Sequence, residues 1–474
     1  GRFGFQYIDS RKRLRQPLVR TGDTLNETPW LEAMQTVIDR LSDIHRKHGP
    51  ESIAGLITAR CTNEELYLFQ KLMRGGLRTN QLDSSARYGH LNYVHAVRHA
   101  VGIGRPLNDW EDLTKAKAVL VIGSDITETN PLTAVRIKEA IRVYHAQVIV
   151  VDSSNTNIAQ LASHPLLVKP GTEALLIDGL VKSVIEQDLI DETSTAQHPQ
   201  AFAALKQAVA QVSLEEVSRV TGVSVEQIRE VAAIFAEAPR AVALCAEGIV
   251  RRLNGYENVL KLIDLAWVTG KLGRPGCGVT TVTEEINEQG AIDMGVAPEF
   301  LPGQARFDDP GARERFGKAW EVTLPAIGTG ANLSEIFARI HKGQIKALYV
   351  IGENPLATLP ASMDVKGALE KLQLLIVQDP FLTETGGMAH VVLPAATYAE
   401  KDGTFTNLEG KVLRVRQALD QVPSYSILTI DGSESRFIDY DILEIISEFE
   451  NKAHDRHIEL HLSNIERVDV QAIH

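Results

Sequence analysis

Short, unbroken apolar runs punctuate the chain, and each gives way to a glycine, an acid or a small residue. Ala118-Val-Leu-Val-Ile-Gly123, Val148-Ile-Val-Val-Asp152, Ala241-Val-Ala-Leu-Cys-Ala246, Ala347-Leu-Tyr-Val-Ile-Gly352 and Leu374-Leu-Ile-Val-Gln-Asp379 share this design. Runs of Val, Ile and Leu without polar alternation are the mark of parallel strands buried on both faces. Between the first two runs, Thr133 to Tyr144 carries the period of a helix. A second helix is predicted from Thr172 to Gln187, with Thr172 as cap and Glu173 in the first turn. Strand and helix patterns alternate along most of the length, which predicts an α/β architecture with two or more parallel sheets.

Ligands of such sheets sit beyond the carboxyl ends of the strands. The residues that follow each run are therefore the candidate site: Gly123, Ser124 and Asp125; Asp152; Gly248; Gly352 and Asn354; and Asp379. Gly171, in the turn before the second helix, joins them. Acidic ends suit ribose and guanine donors, and glycines let the backbone approach phosphate. Ordinary turn chemistry also places Gly, Asp, Asn and Pro after strands, so one such loop alone decides nothing. Five together suit a nucleotide-like ligand.

Composition narrows the classes. The 474 residues are 44% hydrophobic and 23% charged, which is globular rather than disordered. A net charge of −12 gives a nucleic-acid partner no electrostatic support. The three cysteines, Cys61, Cys245 and Cys277, lie far apart, which excludes a disulfide framework and a local four-cysteine cluster. They read as packing thiols and fit a reducing cytosol. No apolar run reaches the ~18 residues of a membrane-spanning helix. His45-Arg-Lys-His48 reads as a solvated helix face, and Phe235, Trp267 and Phe300 as core or seam residues.

Longer strings are more specific. Thr269-Gly-Lys-Leu-Gly-Arg-Pro-Gly-Cys-Gly-Val279 is a glycine-rich loop after a helix, and Glu285-Ile-Asn-Glu-Gln-Gly-Ala-Ile-Asp-Met-Gly295 follows it. Gly352-Glu-Asn-Pro355 and the stretch from Val391 to Gly410 come later. In this order they resemble the large subunit of molybdopterin oxidoreductases, from Gly1 to about Leu419. Within that superfamily, Asp125-Ile-Thr-Glu-Thr-Asn-Pro131 and Thr283-Glu-Glu-Ile-Asn-Glu-Gln-Gly290 are most similar to the molybdopterin-oxidoreductase-like subunit of bacterial respiratory complex I, with formate dehydrogenases the next relatives.

The resemblance implies two interleaved α/β domains around a cleft for a pterin guanine dinucleotide. Residues 1–106 and 299–419 would form the first domain, and residues 107–298 a second, Rossmann-like one. Gly276, Asn287, Gln289, Gly290, Asp293 and Lys401 are added to the cofactor candidates on this ground. Gly1-Arg-Phe-Gly4 resembles the string that follows the last cysteine of an N-terminal iron–sulfur domain. Iron–sulfur clusters are thus expected on a domain preceding Gly1, and FMN on a partner flavoprotein subunit.

The chain departs from the family at the metal. Formate dehydrogenases carry a cysteine or selenocysteine followed by His. Here the string is Asp83-Ser-Ser-Ala-Arg-Tyr-Gly-His90, so Gly89 stands at the ligand position. Glycine offers no soft anionic donor, and Tyr88 cannot replace it without moving the backbone. The arginine that would pair with formate is Thr283, which removes a charge-assisted bidentate bond. His90 is retained by resemblance. The expected metal set is none, with the pterin cleft kept for packing; molybdopterin guanine dinucleotide is the alternative.

Past Gln421 the pattern changes. Ser426 to Asp431 and His457 to Leu462 read as strands, and Tyr440 to Ala453 as an amphipathic helix with Ile442, Leu443, Ile445, Ile446 and Phe449 on one side. This βαβ tail, residues 421–474, resembles part of a STAS domain.

The expectation is a scaffold subunit of an NADH–quinone oxidoreductase, partnered by the other subunits of that respiratory complex. It would be cytoplasmic, held at the inner side of the plasma membrane only through the complex. The alternatives are an active molybdenum or tungsten formate dehydrogenase large subunit, and a non-enzymatic interaction protein on the same fold.

Overall fold

The computed structural model describes residues 7–8, 10–415, 424–431, 446, 449–450 and 453–465. The string Gly1 to Gly4 and most of the helix expected from Tyr440 to Ala453, including Ile442, Leu443 and Ile445, lie outside the described residues. Two compact units result: Gly1–Ala395 with Thr404–Leu413, and Ala396–Gly403 with Arg414–His474.

The larger unit is built on two sheets. The strands that make them, in chain order, are β1 (Leu18–Thr21), β2 (Thr24–Glu27), β3 (Ile53–Ile57), β4 (Leu82–Ser84), β5 (Ala118–Ile122), β6 (Gln147–Asp152), β7 (His164–Leu167), β8 (Ala241–Cys245) and β9 (Gly278–Thr281). A ribbon of β10 (Phe300–Leu301) and β11 (Ala305–Arg306) follows. The chain then returns with β12 (Ala347–Ile351), β13 (Leu374–Asp379) and β14 (Val391–Pro394).

The first sheet has the order β2-β1-β14-β13-β12-β3-β4, drawn from the first and last thirds of the unit. Its β14-β13-β12-β3-β4 part is parallel, and β1 adds antiparallel to β14. The second sheet, β7-β6-β5-β8-β9, is wholly parallel.

Each predicted apolar run is a strand because it is covered on both faces. In β5, Ala118, Leu120 and Ile122 enter one core while Val119 and Val121 enter another. Every residue of β3, β5 and β8 is buried. At roughly 1.5–3 kcal/mol per buried aliphatic side chain, these strands are a main source of stability. Phe235 and Phe300 are buried and Trp267 is half-buried, as read from the sequence, and all three cysteines are free and buried.

Helix boundaries needed correction. The first crossover helix runs Pro131–Tyr144, two residues earlier than the pattern indicated, because Pro131 fits the first helical position without needing an N–H bond. Thr172 does not cap the helix Glu173–Glu186; its hydroxyl donates to the Lys169 carbonyl at 2.7 Å instead. Among the described residues, no helix is long and apolar enough to cross a membrane.

A second short ribbon, β15 (Gly403–Thr406) with β16 (Val412–Val415), closes the family-like part. In the smaller unit, β17 (Ile427–Asp431) pairs parallel with β18 (Glu459–Ser463). Phe449, Ala453 and Ile458 pack with Leu428 and Leu460 against this pair. Parallel neighbours need a crossover, in agreement with the βαβ pattern of the tail.

Candidate cofactor cleft

The two sheets meet through one stretch of chain. Leaving β9, Thr283 to Gly290 runs from the carboxyl end of the second sheet to that of the first. At its start, the Asn130 amide donates to the Thr283 carbonyl at 2.8 Å. At its end, Asn287 is fully buried. Its N–H donates to Ala59 O at 3.1 Å, its Nδ2 to Cys61 O at 2.9 Å and Asn63 Oδ1 at 3.0 Å, and its Oδ1 accepts from Thr406 N–H at 2.7 Å. A Cβ on Gly290 would lie 2.1 Å from both Asn287 Oδ1 and Asn63 Oδ1, so only glycine fits. Asn287 and Gly290 thus frame the cleft with their hydrogen bonds spent inside the protein.

The strand-end candidates gather along this cleft. Gly123 (φ 84°) and Gly248 touch through their backbones: Gly248 N–H donates to Gly123 O at 2.9 Å, and a Cβ on Gly248 would sit 2.6 Å from that oxygen. Ser124 bonds Thr129 Oγ1 at 3.2 Å. Burial works against the Asp125 charge, but hydrogen bonds from Thr127, Asn157 and Ile158 outweigh it and hold its pKa below the usual range. Asp125 is therefore an internal latch. Asp152 binds Ser154 N–H and Oγ, both at 2.9 Å, and stays half-exposed. Gly171 (φ 86°) is exposed beside Arg252.

In the first sheet, Gly352 (φ 63°) packs on Thr58, and Asn354 Oδ1 accepts from the Thr385 hydroxyl at 2.7 Å. Burial raises the Asp379 carboxyl, which accepts from Phe381 N–H at 2.9 Å. One candidate falls elsewhere. Gly276 precedes β9 and so lies at the amino end of its sheet, donating to Asp112 Oδ1 at 2.8 Å. Lys401 belongs to the smaller unit.

The metal-ligand position is closed. Gly89 has φ −168° and ψ −52°. Its Cβ would meet Val250 Cγ2 at 2.9 Å and Arg251 Cγ at 3.0 Å. Tyr88 is turned toward the first sheet's core, with its hydroxyl pKa raised by burial. Thr283 donates to Glu285 O at 2.9 Å. His90 is buried, stacks on Tyr93 and is pushed down to about 4 by desolvation, so it is neutral. Gln289 directs its amide to Gly104 O (3.0 Å) and Asp293 Oδ1 (2.8 Å), which leaves its carbonyl oxygen to accept from His90 Nε2 at 2.9 Å. Asp293, itself raised by burial, also accepts from Gln304 and borders a cavity of about 390 Å³ with Arg98 and Arg105.

Sequence reasoning missed the acids of the cleft floor. Glu285 Oε2 accepts from Thr58 Oγ1 (3.3 Å), Ala59 N–H (3.0 Å) and Ser85 Oγ, and Arg60 reaches its Oε1 at 3.3 Å. Burial, then the Glu285 charge, pushes Glu353 up to about 7 and Glu288 to about 8. Glu353 was visible only as part of the Gly-Glu-Asn-Pro string, and nothing in spacing alone joins it to Glu285.

These residues fit part of what the resemblance implies. Glu353 Oε1 and His90 Nδ1 are buried without a hydrogen-bond partner, an unmet acceptor capacity at each. Gly123 and Gly352 spend their own N–H groups on Val151 O at 3.0 Å and Gln378 O at 2.8 Å. The Gly89 position does not fit a metal held by a protein side chain. Among the described residues, no group of three or more His, Cys, Asp or Glu is placed to hold a metal ion.

Comparison with known proteins agrees with this geometry. The family model "Molybdopterin oxidoreductase" matches residues 13–422. The F420-dependent formate dehydrogenase subunit alpha of Methanocaldococcus jannaschii is 36% identical over 89% of this chain and 61% of its own length. Formate dehydrogenase H of Escherichia coli is 34% identical over 90% of this chain and 61% of its own. The NADPH-Fe(3+) oxidoreductase subunit alpha of Geobacter sulfurreducens is 35% identical, covering 90% and 50%. The chain thus spans 50–61% of the length of these relatives. Acetylene hydratase from Pelobacter acetylenicus superposes with a TM-score of 0.71 at 19% identity, over 95% of this chain and 62% of that one, which speaks to fold alone. A buried polar cleft between two parallel sheets, matched along nearly nine tenths of the chain, places it in a family: the protein belongs to the molybdopterin oxidoreductases.

Proposed function

We propose that this chain is the cofactor-cleft part of a large subunit of the formate-dehydrogenase type, holding a pterin dinucleotide whose metal has no side-chain ligand from the protein. The observation that carries this is the pair of orphaned buried groups, Glu353 Oε1 and His90 Nδ1. The similarity to formate dehydrogenase alpha subunits supports it over the respiratory scaffold that the sequence suggested. In this reading the two sheets belong to the two interleaved domains.

When bound, the cofactor supplies a redox metal. The chain's own part is to position. Gly171 presents backbone to phosphate, and Asp152 offers a carboxylate to guanine or ribose donors. Gln289, fixed by Gly104 and Asp293, holds His90 with its proton on Nε2 and a bare lone pair on Nδ1. Formate itself is not the substrate, because Thr283 is spent on Glu285 O and carries no charge.

The test is to purify the full-length protein and measure metal, pterin and formate-dependent dye reduction together. The expected result is a metal- and pterin-bearing protein whose formate turnover lies ~10²-fold or more below that of arginine-bearing relatives, the usual loss when one transition-state charge partner is removed. Formate turnover equal to theirs would overturn it.

A second reading rests on the closed Gly89 site. A chain with no metal would serve as a scaffold in a respiratory NADH dehydrogenase complex, with iron–sulfur and FMN chemistry on neighbouring parts. Metal content separates the two.

A further inference from the structure

The cleft floor inverts the charge that a formate site needs. Glu285 is anchored by three donors on one oxygen, from Thr58, Ala59 and Ser85. Glu288 accepts the Glu285 N–H at 3.4 Å, and Glu353 stands within electrostatic reach of Glu285. All three are at least nine-tenths buried. The cations nearby are already engaged. Arg60 pairs with Glu285, its side chain 64% exposed, and Arg251 pairs with Glu247 and Glu284.

Two further observations point to a ligand. Glu353 Oε1 has no partner, although Glu353 is only 6% exposed. His90 Nδ1, on a residue 1% exposed, has none either. With its proton on Nε2, that nitrogen accepts and cannot donate. Both orphans can therefore be satisfied by a donor, and an unpaired buried acceptor costs about 1–3 kcal/mol. A carboxylate placed here would face the Glu285 carboxylate and bring no proton of its own. An ammonium, amide or hydroxyl group at Glu353 Oε1 would supply the donor that this oxygen lacks.

We infer that the floor formed by Glu285, Glu288 and Glu353 selects a small substrate presenting a cationic or neutral hydrogen-bond donor, and excludes carboxylate substrates. Glu353 is the specificity-determining residue, since its free oxygen meets the ligand. This inference rests on the reading that the cleft is the substrate site. Burial, which favours a protonated Glu353, is consistent with it: as the acid it offers a neutral hydrogen-bonding partner, and beside a cation it releases the proton.

The experiment is calorimetric titration of the full-length protein with methylammonium chloride and, separately, sodium formate, at neutral pH and constant ionic strength. Methylammonium is expected to bind and formate to give no saturable heat. Glu353→Gln keeps the shape and removes the charge; it is expected to weaken methylammonium binding about tenfold. Arg60→Gln, at an exposed side chain, is expected to tighten it several-fold. Thermal melts of both variants establish that they are folded. Saturable formate binding, or methylammonium binding unchanged in folded Glu353→Gln, overturns the inference. Metal and pterin content of the same preparation are read separately. Their absence would sink the cofactor reading and leave the charge preference standing, whereas formate binding by a loaded protein would do the reverse.

Discussion

The Cβ position of Gly89 falls 2.9 Å from Cγ2 of Val250, inside the closest approach that real side chains make. The obstacle to a side chain at Gly89 is its neighbours: the space it would need is filled by Val250 and Arg251. Restoring the family's donor with Gly89→Cys should destabilise the fold by about 1–3 kcal/mol, the cost of overpacking. Adding Val250→Ala should recover much of that loss. Urea unfolding of the single and double variants checks this, and a Gly89→Cys protein as stable as the parent would refute it.

Gly123 and Gly248 should behave as one contact. A methyl on Gly248 lies 2.6 Å from Gly123 O, which is backbone and cannot swing aside. Gly248→Ala is expected to lose about 1–3 kcal/mol, and Gly123→Ala about as much through its φ of 84° and its crowding by Ile249. Because the two share one interface, the double variant should lose less than the sum. A double-mutant cycle in urea measures the coupling; strict additivity would mean that the loops move independently.

Arg74 is a wholly buried cation held by neutral acceptors. It donates to Asn80 Oδ1, Gln70 Oε1, Gly295 O and Ala297 O, all at 2.8–2.9 Å, and burial pulls its pKa down to about 9. Arg74→Met would strand four acceptors beside a side chain of similar length. A loss on the order of 3–5 kcal/mol is expected, read from thermal or urea unfolding. A loss under about 1 kcal/mol would show that the loop after helix Glu288–Asp293 does not depend on it.

The cleft acids should make stability fall as pH rises. Glu288 is raised from 4.5 to about 8, so between those values the folded protein keeps a proton that the unfolded chain has released. That preference stabilises the fold below pH 4.5 and is lost as pH climbs through 8. Glu288→Gln should remove this slope and be the more stable protein at pH 8 by on the order of a few kcal/mol, relative to pH 5. His90 works in the opposite sense. Its depressed value near 4 means that stability declines as pH drops from 6.5 to 4. Unfolding midpoints across pH 4–9 for parent and Glu288→Gln check both limbs; parallel profiles would contradict the Glu288 assignment.

Strands β5, β6, β8, β12 and β13 were readable because parallel strands covered on both sides leave an unmistakable run, as at Val119 and Leu120, which enter different cores. The strand-end loops followed from topology, and so Gly123, Asp152, Gly248 and Gly352 lie where the runs placed them, after their strands. Gly276 was misplaced because it was taken from a motif and not from its end of the strand; it sits before β9. Thr172 resembled a cap in sequence but bonds backward to Lys169, a choice that local propensity does not decide. Glu285 and Glu353 could not be joined from the sequence. One precedes β12 in the chain and the other follows it, and only the crossing from β9 to the first sheet brings them together.

The central claim is that the cleft holds its cofactor without a protein ligand to the metal. The most direct measurement is the molybdenum, tungsten and pterin content of the purified full-length protein. The account predicts about one metal per chain with stoichiometric pterin, as expected for a site loaded through its loops. A protein that carries neither, after expression in a host that supplies the cofactor to a formate dehydrogenase made alongside it, would contradict the account.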